Sequence, residues 1–245
     1  MKTLIIIPSR MSATRLPGKP LLKINGLSII SHVSKKAEEA NIGEVIVATE
    51  DQEIVDDVKK NGFNSILTKN QHKTGTDRIY EALKKLNIKD VDLVMNLQGD
   101  EPLVNKSDLL KCIELKKNNM NFVFNGYTEI KKYEDHKSIN LPKVVFNESK
   151  NLVYISRSPI PICKEFRENQ IFYKQVCIYG FTLNELNKFA EFGRKSLLEE
   201  KEDIEILRFL ELDIDVKMFH CDESSCAVDV PEDIELVEEI LRQRI

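Results

Sequence analysis

The sequence has no apolar run near the roughly 20 residues of a membrane span. Its early run, Leu4 to Ile7, gives way at once to proline and arginine. Neither a membrane segment nor a signal-peptide core is expected, and a cytoplasmic protein is. Charge of one sign is missing too: 36 Lys and Arg stand against 40 Asp and Glu, a net charge of −4. That balance argues against a surface that coats nucleic acid, so the expected partner is small, although a local basic cluster can still bind an anion. The five cysteines, Cys112, Cys163, Cys177, Cys221 and Cys226, contain no C-x-x-C pair. An odd number without such a pair speaks against a disulfide framework and against a thiolate metal site, and leaves reduced thiols filling small spaces. No Gly/Ser/Pro-rich linker, internal repeat or low-complexity tract interrupts the chain, so a single domain over residues 1–245 is expected.

What is present is alternation. The apolar runs "TLIII", "EVIVAT" and "DLVMNL" are separated by helical patterns at Ser28 to Ala40, Asp51 to Lys60 and Gly75 to Leu86. Short β-rich runs between amphipathic helices predict crossover units and a mainly parallel sheet buried on both faces. From about Phe122 the pattern turns to strands, "NFVFNGY", "PKVVFNES", "NLVYISR" and "KQVCIYGF". A capping box at Thr182 and Glu185 then starts a helix, and a longer helix is expected around Lys195 to Glu211. The later strands are read as extending the same sheet.

Ligands of parallel α/β sheets gather beyond the carboxyl ends of the strands. The loop after Ile7 lies there and carries Arg10, Arg15 and Lys19 among three prolines and Gly18. Three cations on a stiffened loop suit a polyphosphate, with a solvated basic loop as the plain alternative. The Walker spacing is absent. In "NLQGDEP" a second apolar strand ends at Gln98, Gly99 and Asp100, placing a carboxylate where a hard divalent cation could touch the same phosphates, unless this is an ordinary Gly-Asp turn. "HKTGTDR" puts Thr74 and Gly75 at a helix start, which can bind a nucleotide or merely cap the helix. "AVDVPEDIE" puts Asp229 before a proline-started helix, where alone it reads as a cap.

In order and wording these segments, with "YISRSPIP" and "CIYGF", resemble the 3-deoxy-manno-octulosonate (Kdo) cytidylyltransferases along nearly the whole chain. The resemblance implies a three-layer α/β fold of the Rossmann-like nucleotide-diphospho-sugar transferase type, with added strands at about 120–190 serving a homodimer. It implies transfer of CMP from CTP to the C2 hydroxyl of Kdo, for lipopolysaccharide biosynthesis. It assigns Arg10, Lys19, Thr74, Arg78 and Gln98 to the nucleotide, and Arg15, Lys19 and Asp100 to catalysis. Asp100 and Asp229 match magnesium-binding aspartates, and Arg157, Gln175, Tyr179 and Glu205 fall on the sugar side. Three positions depart from the family pattern and are expected on that side: Gln175 for a usual histidine, Cys177 for a glycine and Ile206 for a glutamine. A related 2-ulosonic acid such as 8-amino-Kdo is therefore the alternative acceptor. A glycosyltransferase is disfavoured, because the Asp-x-Asp at Asp213 to Asp215 follows a helix and reads as a turn.

Overall fold

The structure, a computed structural model, describes residues 1–245 other than 13–15, 71, 166–169, 222–226, 229 and 244–245. The chain runs β1 (Thr3–Ser9), a 3₁₀ turn (Lys19–Leu21), β2 (Lys23–Ile24), β3 (Leu27–Ser28), α1 (Ile29–Glu39), β4 (Glu44–Thr49), α2 (Gln52–Lys60) and β5 (Ser65–Leu67). It continues through α3 (Gly75–Lys85), β6 (Leu93–Leu97), α4 (Lys106–Asn118), β7 (Val123–Glu129), β8 (Lys143–Phe146), β9 (Leu152–Ser156) and β10 (Tyr173–Phe181). The last elements are α5 (Leu183–Glu191), α6 (Leu197–Glu202), α7 (Leu207–Glu211), β11 (Val216–His220) and α8 (Pro231–Gln243).

One sheet organises these elements in the order β11-β7-β10-β6-β1-β4-β5. Pairing is parallel between β1 and β4, β1 and β6, β4 and β5, and β7 and β11, while β10 alone in this row runs against its neighbours β6 and β7. β8 joins β10 and pairs with β9, so the later strands do extend the sheet. β1 shows why the sequence must be apolar here. Leu4 and Ile6 enter one hydrophobic cluster with α3, α5 and α7, and Ile5 and Ile7 enter another with α1, α2 and α4. The period of two thus buries both faces and makes three layers.

Two expectations need correction. The long helix expected at Lys195 to Glu211 is two short ones, because Asp203 takes a left-handed conformation (φ 51°) at the end of α6 and redirects the chain. Aspartate tolerates that region better than most residues. α4 was not anticipated from the sequence. Its buried face consists of Asp108, Leu109, Cys112 and Lys116, half of it polar, so the apolar periodicity that signals a helix is weak.

Candidate active site

The carboxyl ends of β1 and β6 meet α3 at the edge of two adjoining cavities of about 360 and 590 Å³. The smaller is lined by Arg10, Lys19, Thr74, Arg78, Gln98 and Asp100. Arg157, Gln175, Cys177, Tyr179 and Glu205 line the larger. Thr74, Gly75, Gln98, Asp100 and Asp203 border both. The residues expected on the nucleotide side and on the sugar side therefore collect around different cavities with a common boundary. Arg15 and Asp229 lie outside the described residues.

On the smaller side, Gly18 (φ +70°) starts the 3₁₀ turn that carries Lys19. Lys19 Nζ lies 2.7 Å from Asp100 Oδ2, closing the loop after β1 onto the end of β6. The Asp100 carbonyl accepts from Val228 N–H at 2.9 Å, which ties the segment before α8 to the same point. Thr74 caps α3, its hydroxyl accepting from Asp77 N–H and donating to the Asp77 carboxylate. A Cβ on Gly75 would come within 3.0 Å of Pro8, so glycine lets the positive end of this helix sit against the exit of β1. Arg78 is buried and donates to Thr68, the Lys69 carbonyl and Glu50. Three of its five N–H groups thus hold protein, and its main effect is to fix the cavity wall.

Glu205 lines the larger cavity and reaches Gln98 on the shared boundary. Its carboxylate accepts from Thr76 N–H at 3.0 Å, and from Asn96 Nδ2 and Gln98 Nε2 at 3.3 Å each. Burial pushes its pKa up, opposed by the Thr76 hydrogen bond. Further into the larger cavity, Gln175 Nε2 donates to Asn125 and to the Tyr179 hydroxyl. Burial pushes the Cys177 thiol and the Tyr179 phenol well above their ordinary values, so both stay protonated and neutral. Arg157 donates from its guanidinium to the carbonyls of Ile139, Glu202 and Asp203, leaving one N–H on each terminal nitrogen.

The expectation that all three departures face the sugar fails at Ile206. It is fully buried in the hydrophobic cluster with Leu207 and Phe209, whereas Gln175 and Cys177 do line the cavity. The sequence reading also missed an ion cluster behind the site. Arg208, 1% exposed, pairs with Glu199 at 2.6 Å and with Asp77 at 2.9 Å, and its guanidinium stacks on Phe189. The available signal was partial: Asp77 stands in "GTDR" and Arg208 ends "EDIEILR", but Glu199 lies outside both stretches.

Among the described residues no group of three or more His, Cys, Asp or Glu is placed to hold a metal alone. Asp100 is nevertheless a hard oxygen donor with its side chain 30% exposed at the shared boundary, which fits a magnesium ion whose remaining ligands come from phosphate and water.

Residues 4–216 match the family described as cytidylyltransferase. The chain is 39% identical to the 3-deoxy-manno-octulosonate cytidylyltransferase of Thermodesulfovibrio yellowstonii, over 98% of each chain. The chain belongs to this family. It is also 36% identical to the 8-amino-3,8-dideoxy-manno-octulosonate cytidylyltransferase of Shewanella frigidimarina, over 96% of each chain. A solved CMP:2-keto-3-deoxy-manno-octonic acid synthetase complexed with CTP superposes with TM-score 0.89 at 33% identity over all of both chains. The fold is thus that of the nucleotide-diphospho-sugar transferases, with β10 lining the larger cavity.

Proposed function

We propose that the protein transfers CMP from CTP to the C2 hydroxyl of Kdo, releasing pyrophosphate. The observation that carries this is the pair of cavities sharing Asp100, Gln98 and Thr74, in a chain so similar to a synthetase that binds CTP. A donor and an acceptor held on either side of one boundary meet there as if the reaction were unimolecular.

In the reaction the C2 oxygen bonds to the α-phosphorus of CTP, the bond from that phosphorus to the bridging oxygen breaks, and the hydroxyl proton is lost. The α3 N-terminus and the cations Arg10, Arg15 and Lys19 would hold the triphosphate, with Lys19 and Arg15 facing charge that grows on the departing pyrophosphate. Arg157 offers its two remaining N–H groups to the sugar carboxylate, from a side chain already fixed by three carbonyls. Asp100 and Asp229 would hold magnesium, which when bound neutralises phosphate charge and favours the C2 alkoxide.

An 8-amino acceptor is the second reading, supported by the Shewanella relative and by the unusual Gln175 and Cys177 lining the larger cavity. Pyrophosphate release from CTP across a panel of 2-ulosonic acids decides between them. No release with any acid overturns the proposal. We place the reaction in the cytoplasm, on the way to lipopolysaccharide, and expect a homodimer through the 120–190 region, where Tyr133, Val153, Ile162 and Ile171 expose apolar side chains. Light scattering tests the dimer.

A further inference from the structure

We propose that Glu205 is a positioning residue for the nucleotide: it presents Gln98 and the first turn of α3 to CTP as one rigid unit. The inference rests on the reading of the smaller cavity as the CTP site. It goes beyond the sugar-side role that the family resemblance gives this residue.

Three donors from two elements converge on this one carboxylate. Thr76 N–H belongs to the first turn of α3, Asn96 to β6, and Gln98 to the residue just past it. Asn96 is fully buried and also donates to the Thr76 hydroxyl, so α3 and β6 are cross-linked twice. An ionised carboxylate only accepts, so it selects the amide NH₂ of Gln98 and turns the Gln98 carbonyl oxygen away from itself. Free rotation would otherwise let that amide present either end to a ligand.

Glu205 is itself held from behind. Three residues on, buried Arg208 clamps α7 to Asp77 in α3 and to Glu199 in α6. Asp77 in turn receives the Thr74 hydroxyl, so the capping residue that borders both cavities belongs to the same network. A short segment from the sugar side therefore fixes two groups of the nucleotide side.

The test measures CTP binding by titration calorimetry with no sugar acid present, which a residue serving only the sugar would not change. Glu205→Gln should weaken CTP by about tenfold, the value of one charge-assisted hydrogen bond. In a double-mutant cycle with Gln98→Ala the two losses should be less than multiplicative. Glu205→Asp, which keeps the charge and withdraws the oxygens, serves should Glu205→Gln not fold, and circular dichroism and melting check both. A loss below threefold, with a raised KM for the sugar, overturns the proposal and returns Glu205 to the acceptor alone. Multiplicative losses overturn the link through Gln98. A wild-type protein that does not bind CTP overturns the nucleotide-site reading itself, and with it this inference.

Discussion

The two cavities are built differently. The smaller lies on strand ends and a helix start, and its charges are fixed by partners in neighbouring elements: Lys19 on Asp100, Arg78 on Glu50. The larger lies on a reversed strand and on loops; its Lys174 and Lys195 pair with Glu134 and Asp203, but its Arg157 guanidinium is held by backbone carbonyls. If the smaller cavity takes the triphosphate and the larger the sugar, as proposed, the first can stay rigid while the second changes residue by residue, at positions such as Gln175 and Cys177.

The most severe way to break the nucleotide side is Asp100→Asn. We expect a folded protein whose turnover falls about a hundredfold or more, since an amide is a far weaker partner for magnesium and no longer balances Lys19. Steady-state kinetics against magnesium concentration checks this, and near-normal activity removes Asp100 from the metal site.

Arg208→Met attacks what joins the two sides. It strands Asp77 and Glu199 without their cation, and breaking a buried pair in this way costs about 3–5 kcal/mol. Denaturant unfolding should show a loss of that order. A loss under about 1 kcal/mol, the range of exposed pairs, would mean that the cluster is not buried as described.

The sugar side should respond more gently and selectively. Arg157→Lys loses the three-carbonyl anchorage and should raise the KM for Kdo and 8-amino-Kdo alike, with CTP binding unchanged. Gln175→His should shift the ratio of kcat/KM between those two acids by up to about tenfold, because one repaired or mispaired polar contact is worth about 1–3 kcal/mol. An unchanged ratio makes Gln175 a support for Asn125 and Tyr179 only.

The smallest effect concerns pH. Burial raises the folded pKa of Glu205, so the folded protein holds this proton more tightly than the unfolded chain does. The stability it contributes is full below the unfolded carboxyl value of about 4.3 and is lost as pH rises through the folded value. Glu205→Gln abolishes that titration. The difference in Tm, wild type minus variant, should therefore decrease as pH rises above the unfolded carboxyl value of about 4.3, and a constant difference would assign the pH dependence elsewhere.

The sequence by itself determined the elements whose physics is local. The continuous apolar run Leu4 to Ile7, short, mostly β-branched and stopped by Pro8, reads as a strand buried on both faces, Thr182 and Glu185 cap their helix, and Pro231 begins another. The segments around Arg10, Lys19, Gln98 and Asp100 could also be grouped from the sequence, because cations and a carboxylate at strand ends suit one polar site, and the fold brings them to one cavity. Tertiary structure alone decided what depends on distant partners. Neither α4 nor the break at Asp203 shows in a pattern of hydrophobicity, since buried Lys116 is received by Glu185 and by the Met120 and Phe122 carbonyls, and α6 ends where Asp203 turns left-handed. Nor could spacing tell that Ile206 faces the core while Glu205 beside it reaches α3 and β6 from 129 and 109 residues away. A side chain's direction at a helix start is set by the packing that receives it, and that packing exists only once the chain has folded.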